Sequence, residues 1–456
     1  WPSSINTLKI NSKKPMTQGY LPSSLTKLVI GEYDHELQPG SLPPSITELK
    51  AKNFRHKLKP GVLPPSLTTL TLGSPPYMIR PHILPSSLIT LTIKSIDGFR
   101  NSSPFALGSL PDSLQTLILS DEFNQNLVSK DILPVSLTAL HFGDQYYYPL
   151  PPGVLPSTLL ILKFSKESEF YHSLDPGSLP NSLHTLRLGS GFNDPLVPGS
   201  LPDSITKLTF GANFNQTIHG RLPLFLTTLK FGISFDKPFT KGSLPRMLRS
   251  LQLGFDYKSN IFTPGLLPSS LDTLVLRRAP FKRLTTTQIP LSLTRLDFGG
   301  PKFNMRFRKA ILPETLKWLR LGRDFNHEIN LPRGLTHLTL NSMIQFNRCR
   351  TMSIEGHQLE ELNIEETQFP GMFKGPKSKD PIWINNLRLV THFPESTVIN
   401  DIDWHGSSIS KFTNILLQRT TIAYGIQSYF KLRKIDDQHC ICVLVKGNKI
   451  TQYHTI

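Results

Sequence analysis

Residues 1–340 repeat one short pattern sixteen times. A Leu-Pro pair followed by a Leu-x-x-Leu-x-Leu block begins at Leu21, Leu42, Leu63, Leu84, Leu110, Leu133, Leu155, Leu179, Leu201, Leu222, Leu244, Leu267, Ile289, Leu312 and Leu331, after a cut-off first copy at Trp1-Pro2. The spacings run from 19 to 26 residues and centre on 22. A unit that short cannot bury its own apolar face, so each copy must stack on its neighbours. The expected architecture is therefore a repeat solenoid whose core lengthens with the chain instead of thickening. Of the 39 prolines, 16 stand at the second position of this recurring pair. The composition is periodic, not disordered.

Residues 201–222 show what one coil does. Ile205, Leu208 and Phe210 are the expected inward residues, and Leu208 and Phe210 alternate with Lys207 and Thr209 at the period of a strand. Gly211 ends the strand, Phe214 and Ile218 return to the core, and Gly220 turns the chain into the next Leu-Pro. A Ser precedes the first core residue in most coils, from Ser4 and Ser24 to Ser270 and Ser292, with Thr158 and Thr315 standing in twice. Its hydroxyl suits backbone groups left unpaired at the turn, so these serines read as structural, not nucleophilic. A Phe-Asn pair recurs at 123–124, 192–193, 214–215, 303–304, 325–326 and 346–347. Stacking makes of it a Phe spine in the core beside an Asn ladder. No 10-residue amphipathic helix fits between successive strands.

The order Leu-Pro-x-Ser-Leu-x-x-Leu-x-Phe-Gly-x-x-Phe-Asn resembles the FNIP repeat, a relative of the leucine-rich repeat found in social amoebae and large DNA viruses. The resemblance spans residues 1 to about 350; Phe225 and Met247 replace the Ser, and residues 301–370 drift from the pattern. It implies a leucine-rich-repeat-like solenoid, mainly β, with one parallel sheet on a concave face, used for protein interaction. Some members join the solenoid to an F-box-like or kinase region, which suggests a substrate-recognition part of a larger protein.

Three segments are expected: a solenoid of about 16–17 coils over 1–366, a linker or loop over 367–380, and a small α+β or β cap over 381–456. Gly371, Gly375 and Pro376 among Lys374, Lys377 and Lys379 mark the linker. In the cap, the spacing of Ile409, Phe412, Leu416 and Leu417 predicts a short helix over Ser407–Arg419. Tyr429–Ile435 and Cys440–Val445 alternate like a hairpin, and Gly447-Asn448 turns the chain into Ile450–Ile456. Such a segment would cover the open sheet edge and exposed core of the last coil.

Enzymatic motifs are missing. Asp297-Phe298-Gly299 spells a kinase metal-binding triplet but occupies the repeat's own strand position, as Phe210-Gly211 and Phe231-Gly232 do. No His-Arg-Asp loop, nucleophile elbow, His-Glu-x-x-His or phosphate-cradling loop accompanies it. The chain reads as non-catalytic, without metal or cofactor. Its cysteines number three, Cys349, Cys440 and Cys442, too few for a secreted scaffold with paired cap cysteines. That scarcity points to a reducing, cytoplasmic setting, and no apolar run is long enough to span a bilayer.

The formal charge is +17. On the sheet's exposed face the central row reads Lys9, Val29, Lys50, Thr71, Thr92, Ile118, His141, Lys163, Arg187, Thr209, Lys230 and onward to Arg320 and Thr339. The expected partner-binding residues are His141, Lys163, Arg187 and Lys230, with Lys207 in the adjoining row and the pair Trp318 and Arg320 on a later strand. The expected partner is an acidic protein. The alternative is a nucleic acid held by phosphate contacts. Single-stranded nucleic acid usually asks for aromatic rings among the cations, and the central row has none.

Overall fold

Leu-x-Leu alternation with Thr, Lys or Val between the leucines suits a pleated strand buried on one side. The computed structural model forms such a strand in coil after coil. It describes all residues except 1, 3, 13, 74–76, 95–104, 128–131, 278–288, 301–302, 305, 308–310, 343–344, 346–347, 352–356, 366–381, 392–411, 421–426, 435–439, 447–448 and 456. For residues 350–351, 357–358 and the strands beyond 381 it gives the backbone alone. The chain divides into two compact units, Trp1–Lys237 and Pro238–Ile456.

In the first unit, eleven strands from Thr7–Ile10 to Thr228–Lys230 pair in parallel, each with the next. The register aligns like with like: Leu186, Leu208 and Leu229 lie side by side, as do Arg187, Thr209 and Lys230. One row of each strand is sealed inside. Leu186, Leu208, Leu229 and the first core residues Leu183, Ile205 and Leu226 are buried. Each such side chain contributes about 1.5–3 kcal/mol of apolar burial. The described connections in this unit contain no helix. Rings fill the space instead: Phe170, Phe192, Phe214 and Phe235 stack in sequence at centroid distances of 6.5, 5.9 and 6.3 Å.

The recurring turn has a physical reason. Pro202 O accepts the Ile205 N–H at 3.1 Å, closing the turn that follows the buried Leu201. The serines do more than serve their own turn. Ser204 Oγ donates to Leu183 O in the preceding coil at 2.7 Å, and Ser24, Ser45, Ser87, Ser113 and Ser136 do the same to Ile5, Leu25, Leu67, Leu88 and Leu114. Thr158 and Thr315 make the equivalent bonds to Leu137 and Leu293. The hydroxyl row is thus a set of rungs between coils. The Asn ladder also forms: Asn193 Oδ1 accepts the Asn215 N–H at 2.8 Å, and Asn215 Oδ1 accepts the Asp236 N–H at 3.0 Å.

In the second unit the parallel series runs through Ser250–Leu253, Thr273–Leu276, Arg295–Asp297, Trp318–Arg320, His337–Leu340 and His357–Ile364. It continues into Ile382–Thr391 and Phe412–Thr420. Gln427–Lys434, Cys440–Lys446 and Lys449–Thr455 then pair antiparallel. The expected hairpin is there, with Tyr429 opposite Val445. The helix expected over Ser407–Arg419 is not: Phe412–Thr420 is a strand, parallel to Ile382–Thr391 and antiparallel to Gln427–Lys434. The apolar residues there fit either period, and two flanking strands supply hydrogen bonds along the whole segment, which decides for the sheet. The linker residues 367–380 and the Gly447-Asn448 turn lie outside the described residues.

Candidate functional site

The strand exposes two residues between its buried ones, so the sheet face carries two polar rows. In the first unit, parallel pairing sets His141 beside Lys163, Lys163 beside Arg187, Arg187 beside Thr209, and Thr209 beside Lys230. Lys207 sits in the adjoining row between Thr185 and Thr228. Neighbouring strands in a sheet are about 4.8 Å apart, so Lys163 and Arg187 present adjacent charges. His141, Lys163 and Arg187 are half-buried, while Lys207 and Lys230 are exposed. The five residues expected in this stretch are therefore brought onto one face of five consecutive strands.

What distinguishes this stretch is its lack of counter-charge. Toward the N-terminus one acid on the sheet face serves two lysines. Glu48 lies 3.3 Å from Lys27 Nζ and 2.6 Å from Lys50 Nζ. The Lys50 hydrogen bond holds its carboxyl below the usual range despite the opposing effect of burial. Over 139–230 the outward positions are Ala139, His141, Ile161, Lys163, Thr185, Arg187, Lys207, Thr209, Thr228 and Lys230, with no acid among them. Among the described residues, Lys163, Lys207 and Lys230 have no carboxylate partner. Arg187 Nε donates to Phe164 O at 2.9 Å, which fixes the guanidinium and leaves its terminal nitrogens for a ligand. Half-exposed Ile161, on the same strand face as Lys163, adds an apolar neighbour that the charge pattern alone did not single out.

His141 registers the surrounding field. Burial, then the charges of Lys163 and Arg187, hold its pKa down to about 4. The ring is neutral at pH 7, so the positive charge of the patch resides on Lys and Arg. An unfolded His titrates near 6.5. Between about pH 6.5 and 4 the unfolded chain therefore takes up a proton that the folded chain refuses, and stability falls as the pH is lowered. Urea unfolding of the wild type and of His141→Gln is expected to show a larger loss between pH 7 and 5 in the wild type. A wild type that gains stability relative to the variant at pH 5 contradicts this.

Trp318 and Arg320 belong to the second unit and are already engaged. Arg295 Cζ lies 3.6 Å above the Trp318 ring. Arg320 Nη2 is 2.6 Å from Glu365 Oε2. Sequence reading missed both partners, since Arg295 lies one strand earlier and Glu365 forty-five residues on. The Asp-Phe-Gly triplet is used structurally. Asp297 is buried with Oδ1 accepting the Gly299 N–H at 2.7 Å, and Phe298 stacks on Phe303 at 4.0 Å. Among the described residues no group of His, Cys, Asp or Glu is arranged to hold a metal ion. No helix among them is long and apolar enough to cross a membrane.

Comparison with known proteins agrees with this architecture. The FNIP Repeat family matches at residues 33–75, 101–134, 123–167, 170–213, 214–256, 282–324 and 303–343, together more than half of the chain. Among solved structures, CroV588, described as a novel circular LRR protein, is similar with a TM-score of 0.61 and 25% identity. The match covers 92% of this chain and 73% of that one. No curated protein matches the chain.

Proposed function

The chain belongs to the FNIP repeat family, and on that premise we propose that it is a non-catalytic protein-interaction scaffold that binds an acidic partner on its sheet face. Leucine-rich-repeat-like solenoids commonly serve protein interaction and are typically non-catalytic, and that much is a property of the fold class. The single observation that carries the finer reading is the run of cations at Lys163, Arg187, Lys207 and Lys230 without a carboxylate partner, whereas Lys27 and Lys50 share Glu48. A protein partner with carboxylates or phosphorylated side chains along an extended segment matches that spacing. In a larger protein the scaffold would select substrates, and three cysteines in 456 residues suit a cytoplasmic setting for it.

The test compares the wild type with a Lys163→Glu, Arg187→Glu, Lys230→Glu triple variant. Binding of a fluorescent hexa-glutamate peptide and of a single-stranded oligonucleotide is followed by anisotropy over a salt series. We expect the peptide to bind the wild type and the variant to lose about tenfold or more, in line with several exposed charge pairs of up to about 1 kcal/mol each. A wild type that prefers the oligonucleotide, with a steep salt dependence, overturns the reading in favour of nucleic acid. Equal peptide binding by the variant removes the sheet face from consideration.

A further inference from the structure

The Asn ladder is interrupted in two adjacent coils of the first unit. At the position after each spine ring, Asn124, Asn193 and Asn215 accept the backbone N–H of the next coil at 3.3, 2.8 and 3.0 Å. Between Asn124 and Asn193 that position is held by Tyr147 and Tyr171. A phenol has no carbonyl to offer the next coil, so these coils give up a rung. The rings are not used in the core either: Tyr147 is 42% and Tyr171 56% exposed. Each carries a second ring stacked on it, Tyr148 on Tyr147 at 4.8 Å and His172 on Tyr171 at 4.4 Å. The spine beneath is continuous, with Tyr146 and Phe170 stacked at 6.4 Å. The outcome is two exposed rings, Tyr147 and Tyr171, each backed by a half-buried one, at the position where the flanking coils place Asn124 and Asn193.

The surroundings of these rings are acidic in a chain of charge +17. Asp121, Glu122, Asp144, Glu167, Glu169 and Asp194 lie within three residues in sequence of the spine rings Phe123, Tyr146, Phe170 and Phe192, against Lys166 and His172. Backbone bonds keep this edge in step from coil to coil: Gln145 N–H to Asp121 O at 2.8 Å, Glu169 N–H to Asp144 O at 2.7 Å, and Gly191 N–H to Ser168 O at 2.8 Å. Glu122 Oε2 is shielded from solvent and has no hydrogen-bond partner among the described residues.

We propose that this edge, centred on Tyr147 and Tyr171 and rimmed by Glu122 and Glu169, is a second docking site, for an Arg- or Lys-bearing polypeptide segment. A cation over a tyrosine face is attracted by the ring's quadrupole. A guanidinium also makes short, charge-assisted bonds to carboxylates, so rings and acids together select an arginine-containing chain over a neutral one. The site differs from the basic sheet face in residues and in sign, and the two readings stand or fall separately.

The ladder supplies a benign test variant. Tyr147→Asn with Tyr171→Asn installs the repeat's own residue at both positions, so the fold should be kept and the missing rungs regained. The full chain is titrated against fluorescent hexa-arginine at about 0.15 M salt, where surface charges beyond about 8 Å are screened. We expect saturable binding by the wild type and a loss of about tenfold in the double Asn variant, the size of two exposed cation–π contacts. Its melting temperature should be unchanged or higher. Glu122→Gln with Glu169→Gln should also weaken binding, while the Lys163→Glu, Arg187→Glu, Lys230→Glu variant should not. Failure of the wild type to bind, or undiminished binding by the double Asn variant, overturns the proposal. So does equal binding of an uncharged hexa-proline peptide, which would make the rings an apolar groove.

Discussion

Replacing Phe214 by Ala is expected to destabilise the first unit by about 3–5 kcal/mol, the usual cost of removing a fully buried Phe ring. The ring is wholly buried and touches both sides of its own coil's stack. It lies 3.8 Å from Phe210 within the coil, 5.9 Å from Phe192 on one side, and 6.3 Å from Phe235 on the other. No helix is available to slide into the gap, because the connections here are extended segments and turns. The neighbours are held by rungs such as Ser204 to Leu183, which limits collapse around the cavity. In a one-dimensional stack the damage should also be local. Hydrogen exchange should accelerate at Leu186–Phe192 and Leu229–Phe235 while Leu28–Ile30 and Leu49–Ala51 keep their protection. Phe214→Leu should cost less. Uniform loss of protection along the unit would show that the coils do not behave as nearest-neighbour units.

That locality explains how much could be read from residues alone. The alternation in Thr-Leu-Arg-Leu at 185–188 fixes which side chains face inward, and the repeat fixes what lies beside them. The row His141, Lys163, Arg187, Thr209, Lys230 is therefore legible in the sequence. What was not legible runs between coils or against the period. The hydroxyl of Ser204 looks like a turn residue in its own coil, yet its acceptor is Leu183, 21 residues earlier. Arg320 reads as a free cation until Glu365 is seen beside it. Tyr147 and Tyr171 fall outside the recurring Phe-Asn pairs, and only their exposure and ring partners give them a role to test. Phe412–Thr420 misled because a helical spacing of apolar residues says nothing of the strands waiting on both sides.

Gly211 misled in a subtler way, as a residue that merely ends a strand, and Gly211→Ala is expected to cost about 3 kcal/mol, the upper part of the range for overpacking, since backbone must move. A Cβ there would lie 1.8 Å from Gly189 O and 2.2 Å from Gly189 C in the coil before it. Gly232 stands in the same relation to Gly211, with 1.9 Å to its O. The glycines form a column along which successive backbones meet without side chains between them. A methyl group at Gly211 has to push two coils apart, and the bonds closest to it, Leu188 N–H to Thr209 O at 2.9 Å and Phe210 N–H to Lys230 O at 2.8 Å, would be strained first. Gly220 makes the contrast. Its φ of +65° is the reason for glycine there, and a Cβ would meet nothing within 4 Å. Gly220→Ala should therefore cost only the left-handed penalty of about 1–2 kcal/mol. Guanidinium unfolding of the two variants decides the matter. If Gly220→Ala proves the more damaging, then turn conformation, not the close approach of coils, limits how tightly this solenoid can stack.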